Sequence, residues 1–170
     1  MQSLKKLDIG CAKKPKDGYD GLDILDIEGI KYPRADAMDL PIEDEVYDEI
    51  HSRWLLEHFS RKDIPALLRE WKRVLVPGGK ISLVANNQYA INEGLANGDI
   101  NWLEWERLSL GSTLNTLGGV HKVFLTPQCV EDMLKEVGFN KIKIRSTNKV
   151  RGKKGELKCP GIIITAMKLS

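Results

Sequence analysis

Two short hydrophobic runs, each carrying an acid near its end, constrain this chain more than anything else: Leu7-Asp8-Ile9-Gly10-Cys11-Ala12 and Gly21-Leu22-Asp23-Ile24. In an open parallel sheet the ligand lies in the crevice beyond the carboxyl ends of the strands, where the chain turns out of the first strand. A glycine at that exit lets the backbone approach a ligand closely, and an acid one strand further on accepts hydrogen bonds from ribose hydroxyls. The pair reads as a nucleotide-like cofactor site on an α/β sheet.

Composition sets the bounds on that reading. With 170 residues, 42% of them hydrophobic, and no long polar tract, the chain fits one domain spanning 1–170. A net charge of +2 carries none of the basic face that nucleic acid normally demands, so a nucleic-acid partner is not expected. The longest apolar run falls short of the ~20 residues a membrane span needs, and Met1-Gln2-Ser3-Leu4-Lys5-Lys6 holds no apolar signal core. A cytoplasmic protein with no membrane partner is the expectation. Cys11, Cys129 and Cys159 are not spaced as a metal pair and read as free thiols in a reducing compartment, and the histidines and acids form no ligand spacing, so no metal is expected.

Strands are expected at Leu4–Ile9, Tyr19–Ile24, Pro33–Ala37, Val46–Ser52 and Lys80–Ala85, with two more at Asn140–Arg145 and Gly161–Met167. The early connections are too short for full helical crossovers, and 12–20 holds turn residues rather than an amphipathic pattern. Ile64, Leu67, Leu68, Trp71 and Leu75 repeat at the spacing of one helical face, with Pro65 tolerated in the first turn and Pro77-Gly78-Gly79 ending the helix. A second helix is expected to start with Thr126 as N-cap and Pro127 at its first position, to bury Val130, Met133, Leu134 and Val137, and to stop at Gly138. The stretch 86–125, with its glycines and with Tyr89, Trp102 and Trp105, fits neither strand nor a single clean helix and reads as a lid or substrate-binding insertion. The basic connection 146–160 reads as a solvated hairpin loop.

Taken in order, these motifs resemble the class I S-adenosylmethionine-dependent methyltransferases, and within them a subgroup of small predicted methyltransferases with a short first loop ending in Gly18-Tyr19. The resemblance covers about residues 4–88 and resumes from His121 through Gly138-Phe139 to the end. It implies a Rossmann-like seven-stranded sheet, mostly parallel with the last strand antiparallel, here with shortened early crossovers. It also implies cofactor-binding roles for Asp8, Gly10, Cys11 and Ala12, for Asp23 at the ribose, for Asp36 and Ala37 at the adenine, and for Ser52 at the end of the fourth strand. Tyr47-Asp48 and the run Trp71–Lys80 match further family segments. Ala12 stands where the family's commonest form has glycine, which is costly if that position has a positive φ.

The implied activity is methyl transfer from S-adenosylmethionine to a small-molecule or carbohydrate acceptor, at O or N. A hydroxyl acceptor needs a general base, and histidine has the matching unperturbed pKa. His121 is the expected base, with His58 and Glu57 as positioning groups, while His51, inside a strand, is expected to point away from the site. Arg53 and Trp54 follow the fourth strand and can shape the pocket, with core packing the default for Trp54, and Lys13 and Lys14 either meet a cofactor carboxylate or are simply solvated. A nicotinamide enzyme is disfavoured because Gly-x-Gly-x-x-Gly opening a helix is missing. A non-catalytic protein on the same cofactor fold is the alternative.

Overall fold

A computed structural model describes residues 4–111, 119–147 and 157–169. Its strands are β1 (Lys6–Ile9), β2 (Asp20–Leu22), β3 (Tyr47–Arg53), β4 (Leu75–Asn86), β5 (Phe139–Ser146) and β6 (Gly161–Lys168). They form one sheet in the order β2-β1-β3-β4-β6-β5. β2, β1, β3 and β4 run parallel, and β6 lies antiparallel to both of its neighbours. This is the expected Rossmann-like arrangement with an antiparallel last strand, with six strands among the described residues instead of seven.

The missing strand is Pro33–Ala37. Tyr32 and Leu22 make a single parallel bridge, and Ala35 N–H reaches Asp23 O at 2.9 Å, so the segment is tied beside β2 without extending the ladder. Pro33 has no N–H to donate, and Arg34 has φ +56°, which takes the chain out of the extended conformation. Pro77-Gly78-Gly79 also differs from expectation. It does not separate helix from strand but lies inside β4, where Gly78 at φ +76° accompanies a shift of register between Tyr47 and Glu49. A Cβ on Gly79 would stand 2.8 Å from Val76 O, so only glycine fits there.

Helix α1 (Ile64–Val74) buries Ile64, Leu67, Leu68, Trp71 and Val74, the stripe its spacing predicts. Helix α4 (Pro127–Val137) starts at the Thr126 cap, whose hydroxyl accepts Cys129 N–H at 3.3 Å, and ends at Gly138 with φ +83°. The two helices pack against each other over Leu7, Ile9, Ile50, Ile81, Leu83, Ile162 and Ile164. Because successive strand side chains alternate, the opposite face presents Asp8, Glu49, His51, Arg53, Ser82, Val84, Ile163 and Thr165. No helix follows β1 to cover it. The 11–19 turn lies there instead, with Lys16 N–H on Asp8 Oδ2 at 2.8 Å and the Tyr19 ring edge-on to His51 at 6.0 Å.

The stretch 86–125 is more regular than its sequence suggests. It holds α2 (Gln88–Ala96) and α3 (Trp102–Leu110), capped by Asn87 and Asn101 side chains. Ile91, Ile100 and Leu108 form a small core of their own there, with Leu95, Trp105, Leu157 and Cys159 against it. Gly118 and Lys149, Arg151, Lys153 and Lys154 lie outside the described residues. No helix among the described residues is long and apolar enough to cross a membrane.

Candidate functional site

A cavity of about 690 Å³ opens at the carboxyl ends of the parallel strands and runs onto the helix-free face. At one end it is lined by Asp8, Gly10, Cys11 and Ala12 from the β1 exit, and by Lys14 and Lys16 from the turn. His51, Arg53, Trp54, Val84 and Ile163 continue the lining across β3, β4 and β6.

The β1 exit is shaped by its own hydrogen bonds. Gly10 N–H and Cys11 N–H both donate to Leu22 O, at 2.8 and 3.2 Å, which folds the chain back over β2. Gly10 has φ +71°, and a Cβ there would meet Leu55 Cδ2 at 2.9 Å. Ala12 has φ +50°, the costly case for a residue with a side chain. Its N–H donates to Asp23 Oδ2 at 2.8 Å, and Leu25 N–H donates to Asp23 Oδ1 at 3.0 Å. Asp23 is buried and does not line the cavity, and its carboxylate holds the turn through these two amides.

The other expected cofactor residues divide. Asp8 is buried on the cavity wall; burial pushes its carboxyl upward, opposed by the Lys16 N–H and the nearby His51, Lys16 and Arg53. Cys11 lines the cavity with its thiol raised to about 11 by burial and by Asp23 and Asp8. Asp36 is exposed and accepts Met38 N–H at 2.8 Å, while Ala37 O accepts the Trp71 indole N–H at 2.9 Å. Ser52 turns to the helix-covered face and donates its hydroxyl to Ile9 O at 2.9 Å. Lys14 lines the cavity and pairs with Asp17 at 3.0 Å; Lys13 does not line it.

Glu57, His58 and His121 do come together, but away from the large cavity. The two imidazoles meet edge to face at 5.1 Å, and His58 Nδ1 lies 3.1 Å from Val120 O. His121 Nδ1 sits 3.1 Å from Ser109 O, and its pKa is lowered by burial and by His58. Burial raises the Glu57 carboxyl to about 7, even with the backbone N–H groups of Glu57 and Asn86 facing it, and its Oε2 has no partner. None of the three lines the cavity, and His121 instead borders a recess of about 100 Å³ with Leu110, Lys122, Val123 and Phe124.

The residue that sequence reasoning misplaced is His51. It does not point away: it lies in register with Asp8, lines the cavity, and is 7% exposed. Its Nδ1 is buried without a partner, and its pKa is lowered by burial first, then by Lys16 and Arg53, against Asp8 and Glu49. The missed signal was parity. His51 and Arg53 are two residues apart on one strand, so they share a face, and register with β1 makes it the face of Asp8. Among the described residues no cluster of three or more His, Cys, Asp or Glu could hold a metal ion.

Comparison with known proteins bears on both the fold and the family. Residues 7–83, which hold the β1 exit, Asp23, His51 and the whole of α1, match the methyltransferase domain family model. A search of curated proteins gives no match. A solved S-adenosylmethionine-dependent methyltransferase from Methanosarcina mazei is similar at TM-score 0.64 and 20% identity, over 99% of this chain and 94% of that one. A possible histamine N-methyltransferase from Thermotoga maritima is similar at TM-score 0.68 and 16% identity, over 99% and 84%. Phosphoethanolamine N-methyltransferase 2 from Haemonchus contortus, solved with S-adenosylmethionine, is similar at TM-score 0.61 and 12% identity, over 100% of this chain and 50% of that one. At such identities the solved structures speak for the fold, and the family model matches a little under half of the chain. With the acid and glycine of the β1 exit opening on a cavity at the strand ends, the chain has the fold of S-adenosylmethionine-dependent methyltransferases, and its residues 7–83 are similar to the methyltransferase domain family.

Proposed function

We propose that this chain is a class I S-adenosylmethionine-dependent methyltransferase acting on a small-molecule acceptor at oxygen or nitrogen, and that the large cavity holds both the methionine end of the cofactor and the acceptor. The observation that carries the reading is the extent of the cavity, which starts at Asp8 and Gly10 and continues to Ile163 on β6. The residues present fit the cofactor. Gly10, Cys11 and Ala12 bring backbone to the cavity wall, Asp8 offers a carboxylate to an ammonium, and Lys14 stands where it can meet a carboxylate. Asp23 reaches the ribose hydroxyls with lone pairs that Ala12 and Leu25 leave free, and Asp36 with Ala37 borders the adenine.

S-adenosylmethionine supplies an electrophilic methyl group on a sulfonium. The protein's part is to hold the acceptor in line, exclude water and, for a hydroxyl acceptor, take its proton. We assign the proton to His51 in preference to His121, because His51 lines the cavity and its lowered pKa keeps it neutral at neutral pH. His121, His58 and Glu57 then support the insertion, which serves as a lid built from α2 and α3.

The test is calorimetric titration with S-adenosylmethionine and S-adenosylhomocysteine, followed by an acceptor screen. Both should bind, since they share ribose and adenine. Failure of either to bind a folded protein overturns the assignment of the cavity. Hydrogen exchange tests the lid: protection across 86–111 equal to that of the sheet, with and without cofactor, would make the insertion a plain structural element.

A further inference from the structure

We propose that the part of the cavity over β3, β4 and β6 is the acceptor subsite, and that it takes an anion with an apolar body. A carboxylate or phosphate head sits on Arg53, and the body lies on Val84 and Ile163. This rests on the methyltransferase reading above and adds the chemical class of the acceptor.

The geometry follows from register. Arg53 pairs with Val84, Val84 with Ile163, and Ile163 with Arg145, so the four side chains form one row across β3, β4, β6 and β5 on the helix-free face. At ~4.8 Å per strand step, the row spans about 14 Å and lies beyond the β1 exit. Val84 is half-buried and Ile163 is 41% exposed, an apolar floor two strands wide with a guanidinium at either end. A floor of this kind accepts the apolar part of a ligand and leaves its charged group at the margin.

The charge at that margin is unbalanced. Of the cations lining the cavity, Lys14 is paired with Asp17, and the Lys16 ammonium lies 4.6 Å from the Tyr19 ring centroid and 3.2 Å from its hydroxyl. Arg53 has no carboxylate partner among the described residues, and neither has Arg145. Asp8, the acid of the lining, already accepts the Lys16 N–H and sits at the cofactor end. An unpaired guanidinium presents two parallel N–H donors that match a carboxylate or phosphate and nothing neutral as well. His51, in the row next to Arg53, is a buried imidazole with an unpartnered Nδ1, so this floor also holds a polar group that the fold does not use.

The test uses protein saturated with S-adenosylhomocysteine, so that the cofactor's own carboxylate is already in place. Benzoate, phenyl phosphate and benzyl alcohol are then titrated by ligand-observed NMR. At least one anion should bind tenfold or more tightly than the alcohol, and the order of the two anions tells carboxylate from phosphate. Arg53→Gln should lose tenfold or more of that affinity, Arg53→Lys should keep part of it, and Ile163→Asp, a change at a partly exposed site, should repel both anions while the fold is kept. Equal binding of the alcohol, no binding of either anion, or an Arg53→Gln variant that binds as before overturns the proposal. Failure of S-adenosylhomocysteine itself to bind is a different result and overturns the cofactor site first.

Discussion

Asp23 accepts the Ala12 N–H at 2.8 Å, so the acid at the end of β2 and the turn at the end of β1 are one structural unit. The same carboxylate takes Leu25 N–H at 3.0 Å, and Asp23 is 7% exposed. Asp23→Ala leaves two amides without their acceptor. It should lower folding stability by about 1–3 kcal/mol and weaken S-adenosylmethionine binding by about 1.5–3 kcal/mol, read by urea unfolding and by calorimetry. A variant that loses stability but binds the cofactor as before would confine Asp23 to the turn.

Ala12 carries the strain of that turn. Its φ of +50° costs an L-residue about 1–2 kcal/mol, against about 0.5–1 kcal/mol that a glycine loses in backbone entropy on folding. Ala12→Gly should therefore raise stability by about 0.5–1 kcal/mol without weakening cofactor binding. A fall in the urea midpoint would show that the alanine methyl makes contacts worth more than the strain.

Glu57 should make stability depend on pH in an unusual direction for an acid. Its carboxyl is raised from 4.5 to about 7 in the folded protein, so the native state holds a proton that the unfolded chain releases. Between about pH 4.5 and 7 stability falls as pH rises, by about 3 kcal/mol in total. Glu57→Gln mimics the protonated form and should flatten that slope. Parallel pH profiles for the two proteins would remove Glu57 as its source.

His51 and His121 are separated by turnover with a hydroxyl acceptor at saturating cofactor. His51→Ala should lose ~100-fold to 10,000-fold in rate, while His121→Ala and His58→Ala keep most of theirs. The wild-type rate should rise with pH through a midpoint below histidine's ordinary 6.5, because burial lowers the His51 pKa. Near-native rates for His51→Ala across pH 6–9 would assign the proton elsewhere, or point to an amine acceptor that needs no base.

The local signals were legible because they depend on a few consecutive residues. The glycine that ends β1, the Thr126-Pro127 start and Gly138 stop of α4, and the apolar stripe of α1 follow from backbone freedom, capping and helical period. The resemblance carried by the order of these motifs also implied the antiparallel last strand, which β6 shows. Three things needed the tertiary structure. Pro33–Ala37 has strand-like neighbours but lacks the donor at Pro33 and bends at Arg34, so only one bridge forms. Asp23 reads in the sequence as a ribose ligand, yet its partners in the fold are backbone amides brought to it by the folded turn. His51 looked like an interior histidine because one strand shows only which side chains share a face, and not what covers that face. That was decided by the pairing of β3 with β1 and by a crossover too short to make a helix, which left Asp8, His51, Arg53, Val84 and Ile163 together around one cavity.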